Sequence, residues 1–350
     1  MDKKLLLSLD DKWMQGDGPH SDVVVSSRVR LARNLVGLPY PTFMKEDDFT
    51  NLFAQVQSSI EHMEPQPELH LMKDMNRIER QILVEKHLIS PELAEVAKGA
   101  VVLNQDRSLS IMVAEEDHLR IQVIFPALTV VDAWKRADEI DDAMESKLDI
   151  AFNEKYGYLT ACPTNVGTGL RASVMLHLPG LVLTKQASRI LTALSQVGLV
   201  VRGIYGEGTE ALGNLFQISN QITIGRTEEE IINNLYTVVL KIIDQERTAR
   251  KLMMRETFHA LADKVYRAYG ILTNARVIDS EEAITLLSDL KLGIDLQILE
   301  GFDAKIFKQV MVIIQPAYLQ HSLGGEISPA ERDIKRAENI RQVILSSIRR

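Results

Sequence analysis

One cysteine, Cys162, stands in the 350 residues. It excludes an intrachain disulfide and a structural thiolate zinc site, and it fits a reducing compartment. No apolar run approaches the roughly 20 residues of a membrane-spanning helix. The opening MDKKLLLSLDDKW carries two lysines and a short apolar run broken by Asp10 and Asp11, too little for a secretory core. A soluble cytoplasmic protein is the expectation. An excess of positive charge is also missing: 48 acidic against 40 basic residues give a formal net charge of -8, which argues against direct nucleic-acid binding by the surface as a whole. No His/Cys cluster has metal-ligand spacing, so no protein ligand to a metal is assigned. Neither a G-x-x-x-x-G-K loop nor an H-R-D and D-F-G set occurs, which excludes two common designs of nucleotide site.

What is present suits a globular chain: 45% hydrophobic and 25% charged residues, enough for a sizeable core. The length allows two or three domains, or one large domain with an appendage. Residues 23 to 25 read as a strand running into Ser26 to Arg33. Helical periodicity follows over Glu46 to Met63 and Asp74 to Leu88, with a short helix begun by Ser90 and Pro91. Alternation from Ala100 to Phe125 predicts a hairpin or meander, with Glu115, Glu116 and Asp117 between its last two strands. A helix over Val131 to Phe152 precedes a glycine-rich loop, Cys162 to Gly169, and the apolar run Ala172 to Leu178. Thr184 is placed as the cap of a helix reaching Val197, followed by strands at Leu199 to Ile204 and Leu215 to Ser219, with a glycine-rich mobile loop over 205 to 213 between them. Thr227 and Glu230 form a capping box for a very long helix reaching about Tyr269. The remainder reads as helical, its last helix started by Ser328, Pro329 and Glu331. Together these give an α+β fold, with a seam near residues 250 to 275.

Arginines recur where strands meet loops: Arg28, Arg30, Arg120, Arg171 and Arg202. The planar guanidinium offers paired, permanently charged donors that suit phosphate oxygens. Any single one is more simply a surface ion-pair partner, but Arg28 and Arg30 alternate along a strand and so share a face. Two carboxylate positions stand out, the strand end holding Glu116 and the glycine-flanked Glu207. Carboxylates from distant parts of the chain meeting over a cation would orient a guanidinium and relieve it of a proton. Cys162, opening its loop, is either a small buried hydrophobe or a thiolate held by a nearby cation.

The string CPTNVGTGLRASV at 162 to 174 resembles the signature of the phosphagen (guanidino) kinases, and SSRVRLARN, EEDHLRI, RGIYGE and ISNQITIG resemble further segments of that family in the same order. Only 25 residues precede Ser26 here, and a helical extension follows. That arrangement resembles the bacterial protein-arginine kinase branch, the McsB type. The resemblance implies a large antiparallel sheet flanked by helices, with a segment at 1–22, a catalytic domain at 23–255 and a helical domain at 256–350 for dimerisation and phosphoarginine binding. It implies ATP with Mg²⁺, and nucleotide contacts from Ser26, Ser27, Arg28, Val29, Arg30, His87, Arg120, Arg171, Ala172, Ser173, Val174, Met175, Arg202, Gly203, Ile204, Tyr205, Gly206 and Glu207. It implies Glu116 and Glu207 as clamping and base carboxylates and Cys162 as a guanidinium contact. Arg332, Asp333, Arg336 and Ala337 match a phosphoarginine-binding motif, and a four-residue spacing on a helix would turn both arginines to one side. The implied activity is phosphorylation of arginine side chains in proteins. A Clp unfoldase, a heat-shock repressor and an activator protein are the implied partners, in a homodimer. The apolar stretches Ile284 to Leu290 and Ile306 to Ile314 must be buried within the domain or against a second copy. A kinase for free arginine and a non-catalytic phosphoarginine adaptor are the alternatives.

Overall fold

The structure, a computed structural model, describes residues 6–203, 211–303 and 305–347. Its strands are β1 (Val24–Arg33), β2 (Glu68–Leu71), β3 (Ala100–Leu103), β4 (Leu109–Val113), β5 (Leu119–Pro126), β6 (Phe152–Asn153), β7 (Gly157–Tyr158), β8 (Leu170–His177), β9 (Leu199–Gly203) and β10 (Leu215–Asn220). Eight of them form one sheet in the order β2-β3-β4-β5-β1-β8-β10-β9, every neighbouring pair antiparallel. β6 and β7 pair separately.

Period-two alternation gives the sheet two chemically different faces. Val29, Leu31, Ile121, Val123, Ala172 and Val174 turn into a core with apolar residues of the helices Glu46–Ile60, Val130–Glu145 and Glu228–Glu256. The opposite face is covered only at its ends. Val25, Ile124, Met175 and Leu215 pack there with Trp13, Met14 and the helices of the last ninety residues, while Val101, Leu103 and Met112 pack with Ile82 and Leu83 of the helix Arg77–Glu85. The stretch between these two clusters stays open, and that gap positions the site.

Several boundaries differ from the sequence reading. The helix expected over Val131 to Phe152 ends at Glu145, because the following chain pairs with the end of β1: the Val36 amide donates to the Asp149 carbonyl at 2.9 Å and the Ala151 amide to the Asn34 carbonyl at 2.7 Å. Thr184 closes a short helix, Pro179–Leu183, instead of opening the next one, its hydroxyl donating to the Gly180 carbonyl at 2.7 Å. The long helix stops at Glu256, where Thr257 leaves helical backbone, and resumes as Phe258–Asn274. Helix Arg77–Glu85 starts at the capping box of Asn76 and Glu79, later than expected. Ile284, Leu287, Leu290, Ile306, Val310 and Ile314 are all buried within the chain's own second core, so these stretches give no reason to invoke a second copy. No helix of the described residues is long and apolar enough to cross a membrane.

Candidate active site

The strand register brings the arginines together. On β1, Arg30 lies opposite Arg171 of β8 and Gln122 of β5, Arg28 opposite Ser173, and Ala32 opposite Arg120. Gln217 of β10 pairs with Met175 on one side and Arg202 of β9 on the other. Side chains of directly paired residues share a face, so all five arginines stand on the open side of one sheet. Gly169 makes the entry to β8 possible: its φ is +63°, and a Cβ there would sit 2.6 Å from the Ala32 carbonyl oxygen.

These arginines floor a cleft of about 1100 Å³. Few of their donors are satisfied. Arg28 Nη2 donates to Gln217 Oε1 at 3.0 Å and Arg171 Nη2 to Ser219 Oγ at 3.5 Å, while the buried Nε atoms of Arg30 and Arg171 have no partner among the described residues. Burial, then the charges of Arg171 and Arg120, pulls the Arg28 guanidinium down to about 10. Burial, then Arg28, Arg120 and Arg171, holds Arg30 well below its usual range, opposed only by Glu115. Clustered like charges with unpaired buried donors oppose folding, and an anion of high charge density is the ligand that relieves them.

One wall of the cleft is acidic. Arg120 donates through Nη1 to Glu115 at 2.9 Å and through Nη2 to Glu116 at 3.0 Å. Burial raises the Glu115 carboxyl above the ordinary range, against Arg120 and the Ser90 hydroxyl, which donates to it at 2.7 Å. Glu116 is far more open and also lines the cleft. Asp117 is structural: it is buried and accepts from Asn34 Nδ2 at 2.6 Å and from the Ala161 amide at 2.7 Å. Cys162 is half-buried on the lining, its Sγ 3.0 Å from Thr164 Oγ1. Burial, then the charges of Arg202 and Arg120, lowers the Arg171 guanidinium from its usual value.

His87 lines the cleft. It sits just beyond the helix, in left-handed backbone with φ 62°, and its Nε2 is buried without a partner among the described residues. Burial, then Arg28, lowers its imidazole to about 4, so it is neutral at neutral pH.

The structure therefore gathers Arg28, Arg30, His87, Glu116, Arg120, Cys162, Arg171, Met175, Arg202 and Gly203 around one space. The side chains of other expected nucleotide contacts stand elsewhere. Val29, Ala172 and Val174 point through the sheet into the helix-covered core, as strand alternation requires. Ser27 is also on that side: its hydroxyl donates to the Ala127 carbonyl at 2.7 Å and accepts from the Thr129 amide at 3.0 Å. Ser26 and Ser173 face the floor side by register but are buried and are not among the cleft lining. Ile204, Tyr205, Gly206 and Glu207 lie outside the described residues.

The segment Arg332 to Ala337 lies on helix Pro329–Ser347, away from the cleft lining. Its two arginines do not offer parallel forks. Arg336 is buried with Ala337 and Ile340, and it donates to the carbonyls of Ile314 at 2.9 Å and Ile278 at 3.0 Å and to the Asp333 carboxylate. Arg332 is half-exposed.

Several cleft residues escaped the sequence reading. Gln122 and Gln217 are floor residues, and their polarity at open-face positions of otherwise apolar strands was a readable signal. Glu85, Gln315, Ala317 and Gln320 also line the space. Glu85 accepts from the Ala317 amide at 2.7 Å and the Tyr318 amide at 3.0 Å, so the C-terminal helices close one side of the cleft. No periodicity announces that contact.

Comparison with known proteins agrees with this geometry. Residues 48–249 match the model of the ATP:guanido phosphotransferase C-terminal catalytic domain, and residues 258–349 that of the protein-arginine kinase McsB C-terminal domain. The chain is 55% identical over 346 residues to the protein-arginine kinase of Moorella thermoacetica, covering 97% of this chain and 99% of that one. It is 50% identical over 334 residues to that of Bacillus licheniformis, covering 94% and 92%. Among solved structures, the duplicated taurocyamine kinase from Schistosoma mansoni with bound transition-state-analogue components aligns at a TM-score of 0.59 and 29% identity, over 67% of this chain and 34% of that one. Lombricine kinase aligns at 0.58 and 25%, over 66% and 68%. The large antiparallel sheet, the arginine-floored cleft and these near full-length likenesses lead to one conclusion: the chain belongs to the protein-arginine kinases, within the ATP:guanido phosphotransferase family.

Proposed function

We propose that this chain transfers the γ-phosphoryl group of ATP to a guanidinium nitrogen of arginine side chains in other proteins. The observation that carries the reading is the floor of five arginines on one sheet face, with buried donors of Arg30 and Arg171 unpartnered among the described residues. A triphosphate supplies the missing negative charge, and the arginines then spread over the oxygens that gain charge during transfer.

Glu116 stands beside this floor and would hold the incoming guanidinium, with Glu207 as the second carboxylate and Cys162 as a further contact, in the roles that the family resemblance implies. In the step itself a nitrogen–phosphorus bond forms, the bond from the γ phosphorus to its bridging oxygen breaks, ADP leaves, and a guanidinium proton passes to a carboxylate. Among the described residues no group of three or more metal-ligating side chains stands together. Mg²⁺ would therefore enter on the phosphate oxygens, where it neutralises charge on the leaving group. Positioning gives the carboxylates their leverage, because guanidinium nitrogens are poor nucleophiles until oriented.

The C-terminal segment from Arg332 to Ala337 is the proposed phosphoarginine site. Arg336 serves there as a fixed base that orients Asp333, and Arg332 stays accessible. The wider role follows from the resemblance: a cytoplasmic dimeric enzyme marking substrates for a Clp unfoldase, inactivating a heat-shock repressor and answering to an activator protein. Turnover of ATP on free arginine, compared with transfer to an unstructured protein, tests the substrate class. Glu207→Ala tests the chemistry: phosphorylation of protein arginine should fall about 100-fold or more, and near-normal activity removes Glu207 from the mechanism.

A further inference from the structure

The N-terminal residues ahead of the sheet pack behind the lining of the cleft, against His87. Trp13 is completely buried, and its ring packs on the His87 imidazole with centroids 5.3 Å apart at 60°. His87 needs such support. A non-glycine residue in left-handed backbone costs about 1 kcal/mol or more and persists only where its surroundings hold it. Its carbonyl accepts from Gln122 Nε2 at 2.8 Å, which fixes the main chain, but among the described residues its ring has no hydrogen bond at Nε2. Ring orientation therefore falls to packing, and Trp13 supplies it.

Trp13 is itself held from both directions. Next to His87, Lys86 Nζ donates to the Ser8 carbonyl at 2.6 Å and pairs with Asp11 at 3.3 Å, and Asp11 also binds Arg107. From the C-terminal side, Lys308 Nζ donates to the carbonyls of Trp13 at 3.2 Å and Gln15 at 2.8 Å. A surface strap would not be gripped by buried cations at both ends.

We infer that Trp13 is a positioning residue for the nucleotide: it fixes the His87 ring on the lining of the cleft where ATP would bind, and Lys308 holds Trp13 in place. This rests on the proposed use of the cleft for ATP. It assigns the segment before the sheet a part in nucleotide affinity.

The experiment is a steady-state comparison with ATP varied and an unstructured protein as phosphate acceptor. Trp13→Leu raises KM for ATP about tenfold, the equivalent of one lost hydrogen bond of about 1.4 kcal/mol, while kcat falls less than twofold. Trp13→Phe restores most of the affinity, since a flat ring still supports the imidazole. His87→Ala raises KM by a similar factor, and adding Trp13→Leu to it raises KM no further. Lys308→Met, remote from the cleft, shifts KM the same way to a smaller extent and serves if Trp13→Leu folds poorly. An unchanged KM in His87→Ala, an unchanged KM in both Trp13→Leu and Lys308→Met, or an equal increase from Trp13→Leu when His87 is absent each overturns the inference. Those results leave ATP-dependent transfer itself standing, whereas a wild-type chain that moves no phosphate from ATP removes the functional reading beneath it.

Discussion

Arg30 and Arg171 are direct cross-strand partners on β1 and β8, and a buried Nε on each lacks a hydrogen-bond partner among the described residues. Like charges placed opposite each other weaken a sheet by roughly 0.2–1 kcal/mol, and unsatisfied buried donors add to the cost. The fold carries this at the centre of its largest sheet.

Relief of that repulsion should therefore stabilise the free protein while removing its chemistry. Arg30→Met is expected to raise unfolding stability by about 1 kcal/mol and to lower phosphate transfer from ATP by about 100-fold or more. Urea denaturation and a transfer assay on the same preparation check both halves. A less stable variant that keeps its activity contradicts the account.

The same argument applies to ligand binding. ATP at about 100 times its dissociation constant should stabilise the wild-type chain by about 2.7 kcal/mol. In Arg171→Met most of that gain disappears at the same ATP concentration. Thermal shifts with and without nucleotide give the comparison.

Glu85 gives a pH dependence of known sign. Burial raises its carboxyl to about 7, against the two amides of Ala317 and Tyr318, which favour the charged form. The folded state therefore holds this proton more tightly than the unfolded state does. Its contribution to stability is full below the usual carboxyl range near 4.5 and is lost as pH rises through about 7. The stability of wild type relative to Glu85→Gln should fall across that window and be flat above it. A difference that grows with pH contradicts the assignment.

On the last helix the two arginines should separate cleanly. Arg336→Ala leaves the carbonyls of Ile314 and Ile278 without their buried donor, a loss of about 2–4 kcal/mol. Arg332→Ala should stay within about 0.5 kcal/mol of wild type while weakening phosphoarginine binding. Denaturation and titration with free phosphoarginine separate the two effects.

Much of this was legible in the residues, for a definite reason. Alternation in SSRVR places Arg28 and Arg30 on one face, and once β1 pairs with β5 and β8 the same rule brings Arg120 and Arg171 beside them. That rule also shows why Val29, Ala172 and Val174 could not join them: a motif names a stretch of chain, and a strand sends every second side chain the other way. Capping boxes at Thr227 and Ser328 marked helix starts correctly because their hydrogen bonds are local. Helix ends were less readable. The helix before Ser146 ends where the following chain pairs beside β1, and Thr257 leaves helical backbone between two helices. The contacts of Glu85 with Ala317 and of Lys308 with Trp13 join residues more than two hundred positions apart, which no local pattern encodes.

The most direct measurement is incubation of the chain with ATP and a generic unstructured protein, followed by mass spectrometry under conditions that preserve the phosphorus–nitrogen bond. The account predicts phosphate on arginine side chains in the wild type and a loss of about 100-fold or more in Arg30→Met. Phosphate confined to free arginine or to hydroxyl side chains, or full transfer by Arg30→Met, would contradict it.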